Sequence, residues 1–388
     1  MRRSLVAIAL AAALSSGVGA ANEETLQRSF IEGVQQMQAG NFAQAEALFR
    51  RMLQETDSPR IKLELARTLY FQGKYEEAKT LFQDVAAHAD TPWRVRDNIA
   101  RFVRDIEERT GYFKFGVSLV SDSNPRNLSA QREFSIGDLH LTSTETPKRA
   151  TGLRYFARGW QPVSEPFAIA GYVVASYIDY PGGNLDRLTV DAGLAKDIWG
   201  TAVRGKAGME FATFGDKRLY QFPYAGFESV LSESDSHRLS GDVKAGKVRF
   251  PDFTYLDATY WSAALSARRA LSQFVAATAR VGVEHSAANE RPYSYRGWDL
   301  APGVSTFWPD STFTLGATLG VGARTYADVD PLFGRQRADR KKRLELSIGN
   351  KQWRWRNNYI SLVTSYEANR SNIAFFEYRK TNIAVIIE

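Results

Sequence analysis

The sequence contains no cysteine, four histidines and four methionines, and no apolar run long enough to cross a bilayer as a helix. The missing cysteine excludes disulfide staples, thiolate metal sites and redox chemistry through the protein's own thiols. The four histidines, His88, His140, His237 and His285, are scattered, and no spacing puts two on one face beside a carboxylate, so no metal site is predicted. The longest apolar run, Leu5 to Leu14, is half the roughly 20 residues a spanning helix needs. There is no Gly-x-Ser-x-Gly elbow and no phosphate loop, and Gly316 to Gly322 reads as a strand of small residues rather than a dinucleotide fingerprint. The expectation is a protein that is not an enzyme and takes no cofactor.

What is present begins with an export signal. Arg2 and Arg3 precede the Leu5 to Leu14 run, and Val18-Gly19-Ala20 places small residues before a cleavage point, so residues 1–20 read as a signal peptide and the mature chain as starting near Ala21. A net charge of +7 and a pI near 9.4 would suit nucleic acid in a cytosolic protein. An exported chain meets anionic lipids and acidic proteins first, so the charge reads as a solvated face or lumen, with no nucleic-acid partner. A length of 388 residues suggests two domains.

The first domain is a repeat. Gly40, Phe42, Ala45, Phe49 and Pro59 recur as Gly73, Tyr75, Ala78, Phe82 and Pro92, each 33 positions on. The turns Ala39-Gly40-Asn41 and Gln72-Gly73-Lys74 end one helix, and Pro59 and Pro92 open another. Leu63, Leu65, Ala66, Leu69 and Tyr70 form one apolar stripe, and Ala45, Leu48, Phe49, Met52 and Leu53 form a second for it to pack on. Residues 21–110 therefore read as a short tetratricopeptide-like stack of about five helices, closed by the helix from Pro92 to Arg109. Such stacks present concave surfaces to peptides, although one this short also serves as a spacer or cap.

After Gly111 the hydrophobic period changes to two. Tyr112, Lys114, Gly116 and Ser118 alternate with Phe113, Phe115, Val117 and Leu119, and the same alternation fills 275–283 and 313–324. About 14 such segments run from 112–121 to 375–388, an even number suited to a bacterial membrane barrel over residues 111–388. Connections after even strands are expected to be short, as at Asp197 to Gly200, Ser232 to Ser236 and Gly349 to Gln352. Long ones, Asp122 to Arg149 and Asp328 to Arg340, are expected on the opposite side. Tyr177, Tyr180, Trp199, Tyr260, Trp261, Phe307, Trp308, Trp353 and Trp355 lie near predicted strand ends, as interfacial girdles require. The fold class is α+β and multidomain: an α-solenoid, then an antiparallel transmembrane β-barrel of about 14 strands. A soluble sandwich or propeller is the competing architecture.

At the junction stands Gly116-Val117-Ser118-Leu119-Val120-Ser121-Asp122-Ser123-Asn124, followed by Arg126-Asn127. This resembles the opening strand of the surface lipoprotein assembly modulator (modifier) family, in which tetratricopeptide repeats precede an outer-membrane barrel. The resemblance covers nearly the whole mature chain. It implies an outer-membrane protein, with periplasmic repeats, that moves lipid-anchored or secreted client proteins to the cell surface. Its partners would then be the client, outer-membrane lipids, and a periplasmic chaperone and barrel-assembly machinery.

Three sets of residues carry the site expectations. Asp122, Ser123 and Asn124 close the first strand, as an Asx-rich turn or as part of the passage for a client. Lys114, Arg154, Arg158, Arg204, Lys206, Arg280 and Arg324 fall on inward faces, paired with carboxylates such as Asp191, Glu210 and Glu284 or steering anions. The repeat face would receive the client. Polysaccharide export, passive diffusion of solutes and an outer-membrane enzyme are the rival functions.

Overall fold

The computed structural model describes residues 17–88, 91–136, 139–164, 167–198, 203–234, 236–308, 313–355 and 358–387. Most of the export signal, and Trp199, lie outside the described residues. No described helix is long and apolar enough to cross a membrane. The chain divides into two compact units after His88.

The first unit holds α1 (Gly17–Gln38), α2 (Phe42–Glu55), α3 (Pro59–Phe71) and α4 (Tyr75–Ala87). The 33-residue repeat is visible in its turns. Gly40 (φ 83°) follows α1 and Gly73 (φ 76°) follows α3, both in the left-handed region that favours glycine. Each turn closes with the same pair of bonds: Asn41 N–H to the Gln36 carbonyl (2.9 Å) and Gly40 N–H to that of Met37 (3.2 Å), then Lys74 to Leu69 (2.9 Å) and Gly73 to Tyr70 (3.0 Å). This is the Schellman arrangement, which satisfies the orphan carbonyls of a helix end. Pro59 stands in the first turn of α3, where no N–H is needed. The core repeats as well: Ala45, Phe49, Ala78 and Phe82 are all fully buried, with Leu65, Ala66 and Leu69 between them.

The second unit opens with α5 (Trp93–Thr110). Fourteen antiparallel strands then close a barrel: β1 (Tyr112–Asp122), β4 (Ala150–Ser164), β5 (Ile169–Asp179), β6 (Arg187–Asp197), β7 (Val203–Phe214), β8 (Lys217–Glu233), β9 (His237–Val248), β10 (Ala258–Ala270), β11 (Val275–Ala288), β12 (Tyr295–Trp308), β13 (Phe313–Asp330), β14 (Arg335–Trp355), β15 (Asn358–Ser371) and β16 (Tyr378–Ile387). The long connection after β1 carries a small hairpin of β2 (Glu133–Ile136) and β3 (Leu139–Thr142). All 14 segments expected from period-two alternation are strands of the closed sheet. Neighbours follow chain order except at the seam, where β1 pairs with β16, Val117 facing Ile387 and Asp122 facing Asn382.

The alternation has the physical cause expected of a wall between lipid and lumen. Phe113, Phe115 and Leu119 of β1, Leu265 of β10, Val281 and Val283 of β11, and Leu344 and Leu346 of β14 are exposed on one face. The residues between them, such as Lys114, Arg280 and Arg343, lie on the other. A closed sheet leaves no unpaired edge among lipid tails, which is why barrels of this kind can cross a membrane.

Three local expectations are corrected. The stretch Asp328 to Arg340 is mostly strand: β13 and β14 continue past a register shift between Thr325 and Val329, leaving only residues 331–334 as a turn. The turn expected at Gly349 to Gln352 is strand too, with a register shift between Gly349 and Arg354 carrying β14 on to Trp355. In both places an irregular ladder breaks the alternation that marks a strand in sequence. Among the aromatics, Trp261, Trp308 and Tyr177 are exposed, but Tyr180 and Phe307 are buried and Tyr260 faces the lumen.

Candidate functional site

The barrel interior and its two ends bring together all of the singled-out barrel residues. At the end where odd-numbered strands leave the wall, Asp122, Ser123 and Asn124 act as a clasp. Asp122 Oδ1 accepts the Asn124 N–H (2.8 Å), which closes the turn. Asn124 is almost fully buried. Its amide donates to the carbonyls of Leu128 (2.8 Å) and of Arg379 in β16 (3.3 Å), and its Oδ1 accepts the Leu128 N–H (2.9 Å). Ser123 N–H reaches the Thr381 carbonyl (3.0 Å), and Thr381 N–H returns to Ser123 Oγ (2.8 Å). The motif thus ties the start of the long first connection to the last strand. Lys380 Nζ adds a bond to Asn127 Oδ1 (2.9 Å).

In the middle lies a cavity of about 800 Å³. Its charged lining is balanced: Lys206, Lys244, Arg280, Arg324, Arg337 and Lys341 stand against Asp191, Glu228, Asp242, Glu284, Asp299 and Asp339. Most are paired: Lys206 of β7 with Glu228 on the neighbouring β8 (2.7 Å), Arg324 of β13 with Glu284 of β11 (2.6 Å), Arg280 of β11 with Asp242 of β9 (3.4 Å), and Arg337 with Asp339 within β14 (2.7 Å). Of the carboxylates expected to pair with cations, Glu284 does so with Arg324 and Glu210 with Lys244 (2.9 Å), while Glu210 also accepts the Tyr220 hydroxyl. Asp191 instead takes the Tyr224 hydroxyl (2.8 Å), which is 2.7 Å from that of Tyr172. Arg154 donates to Ser118 Oγ (3.1 Å). A lining of equal and interleaved charge has no net field to concentrate anions.

The other end is crossed by α5, and this is the feature sequence reasoning missed. The 92–109 helix was expected to close the repeat stack, yet its side chains engage the barrel wall along its whole length. Arg96 lies over the buried Phe307 ring of β12 (4.7 Å to the centroid). Asp97 pairs with Arg268 of β10 (3.0 Å), Arg104 with Glu233 of β8 (2.9 Å), Glu107 with Lys114 of β1 (2.9 Å) and Glu108 with Arg204 of β7 (2.9 Å). Trp160 of β4 donates its indole N–H to the Glu108 carbonyl (3.2 Å), and Arg204 stacks on that indole (4.7 Å). Ile99 and Ile106 are fully buried. Gly111 joins helix to strand at φ 82°, ψ 161°, a conformation favourable only to glycine.

Among the described residues no three His, Asp or Glu side chains form a group able to hold a metal.

A closed antiparallel barrel, apolar outside and charged within, defines a transmembrane β-barrel of the outer-membrane class. Within that class, residues 247–388 match the surface lipoprotein assembly modifier family, and residues 36–95 match the tetratricopeptide repeat. The likeness read from the first strand is thereby joined by a match over the C-terminal half of the barrel. The match and the fold together point to a non-enzymatic role in surface lipoprotein assembly at the outer membrane, with a lipoprotein as the implied client. No curated protein matches the sequence. Solved structures of similar shape include the outer membrane channel DcaP of Acinetobacter baumannii (11% identity, 72% of this chain and 97% of that one, TM-score 0.39). The outer membrane protein OmpT of Vibrio cholerae is similar at 8% identity (72% and 99%, TM-score 0.38). An anion-selective porin from Comamonas acidovorans is also similar at 8% identity (71% and 98%, TM-score 0.38).

Proposed function

We propose that this chain is an outer-membrane translocation or assembly factor that delivers client lipoproteins or secreted proteins to the cell surface. The repeat unit stands in the periplasm and receives the client, directly or from a chaperone, and the barrel provides the route or the insertion surface. The observation that carries this reading is the joint occurrence, in one chain, of the tetratricopeptide match at 36–95 and the assembly-modifier match at 247–388. Two features of the barrel support it over passive diffusion. A helix lies across one end, held by four ion pairs. The lumen lining is charge-balanced rather than of one sign.

The test is surface display. Cells with and without the gene are treated with protease while intact, and the product of a neighbouring gene for a lipid-anchored or secreted protein is followed. Loss of that protein from the surface, with accumulation in the periplasm, supports translocation. Unchanged display overturns it and favours solute diffusion or polysaccharide export.

A further inference from the structure

One sector of the wall beneath α5 has an excess of positive charge that only the helix offsets. Lys114 of β1, Arg158 of β4, and Arg204 and Lys206 of β7 supply four cations. The wall itself returns two carboxylates: Asp197, 2.6 Å from Arg204, and Glu228, 2.7 Å from Lys206. The other two come from the end of α5, where Glu107 meets Lys114 and Glu108 meets Arg204. Arg158, opposite Lys114 in the β1–β4 ladder, has no ion-pair partner among the described residues. The Glu107 and Arg204 side chains are 9% and 14% exposed, while their partners Lys114 and Glu108 are 56% and 31% exposed, so each pair joins a sheltered charge to one in contact with water.

We propose that this sector is a receiving site for an acidic segment of a polypeptide, which the chain occupies with its own Glu107-Glu108 until a client displaces it. The inference deepens the translocation reading and rests on it for the identity of the client. The sector matches two adjacent carboxylates carried on a helix, flanked by apolar side chains such as Ile106. Gly111 supplies the pivot. Three positions beyond Glu108, between the end of α5 and the start of β1, it lets α5 swing from the wall without unzipping β1. The latch is ionic, so salt weakens it and a competing polyanion replaces it.

The test uses the purified full chain in planar bilayers, with no client. The variant Glu107→Gln/Glu108→Gln is expected to raise conductance about tenfold over the wild type, the population shift that 1.4 kcal/mol of latch energy produces, and to shift the reversal potential toward anions. A peptide rich in glutamate, added from the side that α5 faces, is expected to block the variant current, whereas a lysine-rich peptide of the same length does not. Heat-modifiable migration on gels verifies that the barrel is folded, and Arg204→Gln, which breaks the same latch from the wall, is the second variant. Unchanged conductance in both folded variants overturns the latch. Raised conductance without selective block by the acidic peptide overturns the receiving site and leaves an anion pore. Neither result bears on whether client display depends on the gene, so this inference and the translocation reading fail separately.

Discussion

Asn124 and Arg379 lie 255 positions apart in sequence, yet the side-chain amide of the first donates to the backbone carbonyl of the second at 3.3 Å. The bond joins the first connection to the last strand beside the barrel seam. Every polar atom of the Asn124 side chain has a partner, in a place with almost no access to water. That arrangement assigns the Ser-Asp-Ser-Asn motif a structural task before any role in passage.

Asn124→Ala removes three hydrogen bonds and takes a partner from the half-buried backbone groups of Leu128 and Arg379, at a cost of about 1–3 kcal/mol. The midpoint of heat-modifiable migration should fall, and protease should cut within 123–149 before the barrel unfolds. Equal stability and equal protection in the variant would show that the motif does not hold the loop.

In the repeat unit, Phe49→Ala empties a fully buried position at a cost of about 3–5 kcal/mol. Circular dichroism of the full chain should lose an early helical transition, while the β signal melts as before. A single unchanged transition would contradict the division of the chain after His88.

Glu46 links the two repeats. Burial alone would raise its carboxyl, but hydrogen bonds from Lys74, Gln72 and Arg50 outweigh it and hold the group at about 2, against an ordinary 4.5. The folded value lies below the unfolded one, so this contribution is complete above about pH 4.5 and is lost as pH falls from there toward 2. The helical transition should therefore drop in temperature between pH 5 and pH 2.5 in the wild type, and by less in Glu46→Gln. Parallel curves would remove Glu46 as the cause.

The lipid-facing assignment is checked on β10. Leu265→Arg puts a cation on the exposed apolar face, at a cost of about 2–4 kcal/mol if it lies near the bilayer centre. Ser266→Asn, one residue along and facing in, should be tolerated. Folding yield into vesicles separates the two, and the reverse order would invert the inside and outside of the wall.

Most of the architecture was legible in the sequence, for a simple reason. A strand with lipid on one side and charge on the other writes its two faces into alternate residues, as Phe113 and Lys114 do. The repeat was legible because the same glycine turn occurs twice. What failed were places where one local pattern fits two environments. The apolar stripe of α5, with Ile99 and Ile106, is the same whether it covers a helix or a barrel wall. Phe307 looks like a girdle residue until its parity is set against Trp308, and the shifts at Thr325 and Gly349 disguised strand as loop. The partners of Asn124 and Glu108 are invisible in sequence because they lie on distant strands.

The seam also dictates an order of events. Each strand but one finds its neighbour as soon as the next hairpin is made, whereas β1 must wait for β16. Until then its outer edge is an open template for any passing strand, and the ring is a curled ribbon. Closure is therefore the final step of biogenesis, and the Asn124 to Arg379 bond forms only then, so it serves as a mark that the chain has been finished in the correct register.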